Sequence, residues 1–249
     1  MPRLLPLALV LAATLGAAPA AAFDPAAMSE PERAAFGEAV RSYLLANPEV
    51  LIEAIGVLEQ RQAEAEAASD QTLVARHAAA IFSDGYSWVG GNPEGDVTMV
   101  EFLDYQCSFC RRAHDEVEEL VASDGNIRFI VKEFPILGPQ SDLSSRFAIA
   151  VKLIAGDALY KQAHDRLITY RGEINLESLT RIAEELGQNP APILQRMNSD
   201  EVSAVIASNH ALAQQMQISG TPTFVIGNEM LRGYLALDGM RRIVAGERG

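Results

Sequence analysis

Both cysteines of the 249-residue chain, Cys107 and Cys110, fall in one stretch, VEFLDYQCSFCRRAHDEV, residues 100–117. The run before them, VTMVEFLDY, is apolar, β-branched and aromatic, as a buried strand requires. After them, RRAHDEVEELVAS sets Ala113, Val117, Leu120 and Val121 at helical spacing. A cysteine pair at a strand-to-helix junction restricts the fold more than any other feature of the chain. A disulfide between positions three apart would close a tiny loop and restrict the unfolded chain little. Folds that depend on disulfides carry several. The pair is therefore chemical rather than architectural.

A helix start supplies the chemistry. Its unpaired backbone N–H groups and partial positive charge stabilise a thiolate. Cys107 is expected at that start, with Cys110 one turn further along the same face. Cys107 then forms the mixed disulfide with a partner, and the shielded Cys110 resolves it. A metal reading competes, since Cys-X-X-Cys is half a zinc knuckle, but a structural zinc site wants four ligands. No second cysteine pair exists, and His77, His114, His164 and His210 show no ligand spacing among themselves. His114 can share a helix face with Cys110, four residues earlier, so a metal role stays open on spacing alone. The helix-start context favours a redox motif, and neither a metal nor a cofactor is expected.

The N-terminus sets the compartment. Arg3, a leucine- and alanine-rich run over residues 4–15 and the tail GAAPAAAFD have the layout of a secretory signal peptide, with cleavage expected after Ala22. A membrane anchor would need about 20 apolar residues. Loss of Arg3 takes the net charge from −13 to −14, which excludes nucleic acid as a partner, because that binding depends on Lys and Arg neutralising phosphates. With 49% hydrophobic residues the chain has material for an ordered core.

Residues 23–80 read as helical. Ser29 and Glu32 have capping-box spacing, and Asn47, Pro48 and Glu49 suit the cap and first turn of a second helix. Leu44, Leu51, Leu58 and Ala65 stand seven apart, with Ile55 and Gln62 between them. Such a stripe needs cover, from the neighbouring domain or from the same stripe of another subunit. EQRQAEAEAASDQ, beginning at Glu59, keeps helix propensity with little apolar face, so a solvated helix or semi-rigid arm is expected.

Further on, DGYSWVGGNPEGD reads as turns and NIRFIVKEFPIL as a second buried strand. Residues 141–218 read as about four helices, with Gly156, Gly172 and Gly187 near their ends. GTPTFVIGNEMLRGY reads as a hairpin, and ALDGMRRIVAG as a closing helix. The order is βαβ, then ββα, with a helical block between the halves, an α/β fold.

VEFLDYQCSFCRRA, VKEFPILGPQS and GTPTFVIG, in that order, resemble the DsbA-like branch of the thioredoxin superfamily, the bacterial periplasmic thiol-disulfide oxidoreductases. The resemblance spans residues 86–246. YLLANPEVLIEAIGVLEQRQ is further similar to the oligomerisation segment of the ScsC-type (suppressor of copper sensitivity) members. After the signal peptide at 1–22, the resemblance implies an oligomerisation segment at 23–80 and a thioredoxin-like domain at 81–249 with a helical insertion at about 139–217. It makes Cys107–Cys110 the redox-active disulfide, and Thr221–Pro222 the cis-proline loop that lies against it and pairs with substrate backbone. It makes Glu101 the buried acid that exchanges protons with Cys110; an edge carboxylate facing water is the alternative. Where strong oxidants of the family have Pro-His, this chain has Ser108-Phe109. Phe109 cannot stabilise a thiolate as a histidine does, which implies a milder couple, though it can offer apolar contact to unfolded substrates.

The implied function is a periplasmic dithiol-disulfide oxidoreductase, an isomerase or reductase working as a homo-oligomer. An oxidase is the alternative, and a chaperone or Cu(I)-binding module the alternative of another class. The implied partners are exported proteins with thiols or disulfides and a membrane thiol-disulfide electron-transfer protein.

Overall fold

The computed structural model describes residues 28–249, so the expected signal peptide lies outside the described residues. The described chain forms two compact units that meet in sequence between Gln60 and Arg61, inside a helix that runs to Phe82, and residue 80, the expected boundary, lies near the end of that helix.

In the first unit, α1 (Glu30–Ala46) begins where the Glu32 carboxylate accepts hydrogen bonds from the Ser29 N–H (2.9 Å) and hydroxyl (2.7 Å). It ends at Asn47, whose backbone N–H and side-chain Nδ2 both donate to the Tyr43 carbonyl. Asn47 thus closes α1, where the sequence suggested that it opens the next helix. Pro48 has no N–H with which to continue the ladder, and α2 (Glu49–Phe82) follows. No residue of α1 is buried. Phe36, Val40, Tyr43, Leu45, Leu51, Ile52, Ile55, Val57 and Leu58 are 41–73% exposed, which is far more contiguous apolar surface than a lone helical segment leaves in water.

In the second unit the later part of α2 turns inward, burying Asp70, Leu73, Val74 and Ile81. A five-stranded sheet is built from β1 (Trp88–Gly91), β2 (Val97–Leu103), β3 (Ile127–Glu133), β4 (Thr223–Ile226) and β5 (Glu229–Arg232), ordered β1-β3-β2-β4-β5. Only β2 and β3 run parallel. β1 lies in the passage that reads as turns. Gly90-Gly91 suggests a turn, yet Trp88 and Val89 pair with Val131 and Ile130. At Gly91, with φ +66°, a Cβ would come within 2.3 Å of the Ile127 carbonyl oxygen, so glycine is what lets the strand reach its partner.

Period-2 alternation divides β2 and β3 between two cores. Met99, Leu103, Phe129 and Val131 pack with α3 (Ser108–Asp124), α9 (Leu237–Arg248) and the helical block. Val100, Phe102 and Ile130 pack with Val74 and Ile81 of α2 and Leu212 and Met216 on the other face. The buried Lys132 donates to the Ala80 carbonyl (2.7 Å) and pairs with Asp84. The Arg232 guanidinium grips Asp70 through both of its carboxylate oxygens. These contacts bind the end of α2 to β3 and β5.

The block between β3 and β4 holds five helices: α4 (Pro139–Ala155), α5 (Asp157–Thr169), α6 (Leu176–Glu185), α7 (Pro190–Arg196) and α8 (Asp200–Gln215). The extra one arises because Ser199 accepts from the Val202 N–H (3.3 Å) and starts α8 afresh.

Candidate functional site

At the end of β2 the chain must turn into α3, and Asp104 fixes how. It is fully buried, and its carboxylate accepts N–H bonds from Gln106 (2.8 Å), Ile136 (2.8 Å) and Leu137 (2.9 Å). The turn is thereby pinned to the loop after β3. Its carbonyl takes the Cys107 N–H at 3.0 Å, which sets Cys107 as the N-cap of α3. Arg111 holds the turn from the other side, donating to the carbonyls of Tyr105 (2.7 Å) and Tyr170 (3.0 Å).

The two thiols are free, the reduced state of the pair. Cys107 retains 6% exposure and Cys110 1%. The Cys110 hydrogen bond, with help from the Thr221 side chain and the N–H groups of Cys110 and Phe109, outweighs burial and lowers the Cys107 pKa from 9.0 to about 5. Burial, the bond to Cys107 and the Glu101 charge push Cys110 far up. One sulfur is therefore anionic and the other protonated at neutral pH. The rate of Cys107 alkylation by iodoacetamide is expected to follow a titration near pH 5. A midpoint above pH 8 would remove the account of an activated thiolate.

Glu101 projects from β2 toward the same core, 4% exposed, and does not face water. Burial, aided by Cys107 and by Glu118 and Glu133, raises its pKa from 4.5 to about 8. Between those values the unfolded chain has released the proton that the folded chain keeps, so the folded state loses stability as pH rises through this window. Glu101→Gln should accordingly gain on the wild type by a few kcal/mol between pH 5 and 8 in urea unfolding of the reduced protein. A difference independent of pH would show that Glu101 titrates normally.

The Thr221–Pro222 bond is cis, and the Thr221 carbonyl oxygen is 3.1 Å from Cys107 Sγ. The Pro222 carbonyl accepts the Gly233 N–H (2.9 Å). A recess of about 260 Å³ lies along this loop, bordered by Ser219, Gly220, Thr221 and Gly233. Phe109 is 54% exposed and stacks on Tyr234, ring centres 6.4 Å apart, with the Arg112 guanidinium 4.4 Å above the Tyr234 ring.

Sequence reasoning missed Glu133. It is buried at the end of β3, and its Oε1 accepts the hydroxyls of Tyr105 (2.8 Å) and Tyr160 (2.6 Å). Burial lifts its pKa to about 7 against those hydrogen bonds. The available signal was the one that marked Glu101, a lone acid inside an apolar strand.

The family model of the DsbA-like thioredoxin domain matches residues 98–245, and that of the copper resistance protein ScsC N-terminal domain matches residues 32–65. The crystal structure of a thioredoxin-like oxidoreductase from Silicibacter pomeroyi DSS-3 is 39% identical, with a TM-score of 0.64, and the match covers 68% of this chain and 96% of that one. BcfH from Salmonella enterica Typhimurium is 29% identical with a TM-score of 0.72, covering 88% of this chain and 97% of that one. A Na(+)/H(+) antiporter, NhaA 1 of Salinispora arenicola, is 28% identical over 159 residues, which are 63% of this chain. The chain spans 24% of the length of that curated relative.

Proposed function

We infer that this chain, which belongs to the family of DsbA-like thioredoxin domains, exchanges disulfides with protein thiols through Cys107 and Cys110. The observation that carries the reading is the pairing of an anionic Cys107 at a helix start with a protonated, buried Cys110. In the reducing direction the Cys107 thiolate attacks a substrate disulfide, forming one S–S bond and releasing one substrate sulfur as thiolate. Formation of the mixed disulfide removes the Cys107 charge that helps hold Glu101 protonated, so Glu101 releases its proton to solvent, takes up that of Cys110, and the Cys110 thiolate attacks Cys107 Sγ. The second substrate thiolate leaves, the substrate has gained two electrons, and Cys107–Cys110 is the disulfide. The oxidising direction is the reverse. Thr221, Pro222 and Phe109 border the sulfurs and provide the surface on which substrate backbone and apolar side chains rest.

The poise is intermediate on this reading. A Cys107 pKa of about 5 lies between the roughly 7 of thioredoxin and the roughly 3.5 of the strong oxidant of the superfamily. The expectation of a mild couple rested on Phe109 in place of histidine. Backbone N–H groups and the Cys110 thiol supply much of the stabilisation that a histidine would have given, so an oxidase stays the second reading. The match to the ScsC N-terminal domain supports an oligomer formed by the first unit, and thereby the isomerase or reductase role. Periplasmic location, exported substrates and a membrane thiol-disulfide partner complete the proposal. Equilibration with glutathione should give a potential between about −270 and −120 mV, the values of those two reference proteins. A couple that never exchanges with glutathione would overturn the reading.

A further inference from the structure

We propose that His114 on α3 and His164 and Asp165 on α5 form a second site, for a divalent transition ion of the zinc class. The three are scattered in sequence, and the fold brings one ligand atom of each within 4.8 Å of the others. Zinc held at about 2.0–2.2 Å by four tetrahedral ligands keeps neighbouring ligand atoms about 3.3 Å apart. His114 Nε2 and Asp165 Oδ1 already stand 3.5 Å apart. Small rotations of the side chains close the remainder. Two imidazoles and one carboxylate are a donor set for zinc, with a fourth position open to water or an added ligand.

The second observation is the support behind His164. This residue is 2% exposed, and its Nδ1 lies 3.2 Å from the Tyr105 hydroxyl. Tyr105 has a single hydroxyl proton and gives it to Glu133 Oε1 at 2.8 Å. In the contact with His164, then, the Tyr105 oxygen accepts and Nδ1 donates. That fixes the tautomer with a lone pair on Nε2, the nitrogen left for a metal. A ring N–H anchored through a hydroxyl to a buried carboxylate is the outer-shell arrangement that orients metal-binding histidines. Tyr160 reinforces it, donating to the same Glu133 oxygen at 2.6 Å and stacking on the His164 ring at 18°.

Lys161 is the competitor. Its ammonium is 2.7 Å from both oxygens of Asp165 and 3.1 Å from Glu118. An arriving ion displaces it from Asp165, and Glu118 retains it. Occupancy would join the helix that carries the dithiol to the inserted helical block.

The thiols bind soft metals themselves, so the test uses the full mature chain with Cys107 and Cys110 oxidised to the disulfide. Zinc is titrated against a chromophoric chelator and followed in parallel by thermal unfolding. The expected result is one zinc per chain and an unfolding temperature that climbs with zinc concentration. His114→Ala and Asp165→Asn should each weaken binding by at least about tenfold, with exchange with glutathione unchanged. Lys161→Ala should tighten binding. Absence of saturable binding below about 100 μM zinc, a hundredfold above a micromolar site, would overturn the site. So would equal binding by wild type and His114→Ala.

Discussion

Cys107→Ser is expected to abolish dithiol-disulfide exchange, while Cys110→Ser retains the first half of the reaction and stalls there. The asymmetry follows from the environments of the sulfurs. Cys107 is the anionic one and borders Thr221, so its removal leaves only a thiol that is 1% exposed and held protonated. The loss should reach the uncatalysed rate. Cys110→Ser replaces the thiol donor to Cys107 with a hydroxyl donor and leaves the helix start and the N–H of Phe109, so attack on a substrate proceeds. The mixed disulfide then has no resolving thiol and accumulates until external thiol releases it. Non-reducing gels of each variant after incubation with a disulfide-containing substrate read the result. Equal trapping by both variants would show that the nucleophile had been assigned to the wrong sulfur.

Removal of residues 23–60 is expected to convert an oligomer to a monomer and to separate isomerisation from simple exchange. The cut belongs at the unit boundary between Gln60 and Arg61, although the sequence suggested 80. A cut at 80 would strip Val74 from the core behind β2 and remove the buried Leu73, at roughly 1.5–3 kcal/mol for each side chain. It would also remove Asp70, the carboxylate that Arg232 grips. Such a chain should unfold readily, whereas the chain cut at 60 keeps these contacts and its dithiol. An isomerase must hold a substrate through several exchanges, and neighbouring active sites in one assembly raise the effective concentration of thiol. Reshuffling of a scrambled substrate should therefore fall at least about tenfold, with oxidation of a reduced peptide preserved. Sedimentation of the full chain as a monomer would end the oligomer proposal. An unchanged reshuffling rate after the cut would separate the assembly from catalysis.

Local signals carried the sequence reading a long way. The cysteines at a strand-to-helix junction, the hairpin at Gly227-Asn228 and the exposed stripe through Leu51, Ile55 and Leu58 are properties of neighbouring residues, and the structure has all of them. What was illegible depended on distant partners. β1 was hidden because the Gly90-Gly91 signal for a turn ignores the β3 edge that recruits Trp88 and Val89. Glu133 carries the same signal as Glu101, but its meaning comes from Tyr105 and Tyr160, 28 and 27 residues away. Asn47 favours both helix ends, and only the geometry at Tyr43 shows which it serves. Much of the stabilisation of the Cys107 thiolate comes from the Cys110 thiol and the backbone N–H groups, which the side chains of Ser108 and Phe109 do not reveal.

The contact between Cys107 and the Thr221 carbonyl ties recognition to charge. While the thiol keeps its proton, it occupies an acceptor that an incoming polypeptide would use for its own N–H. Once the proton has gone, or the sulfur has entered a disulfide, that acceptor is vacated. The chain in its protonated reduced form is thus its own competitor, and its grip on a peptide that has no cysteine should itself be a titration curve, weak below about pH 5 and stronger above it.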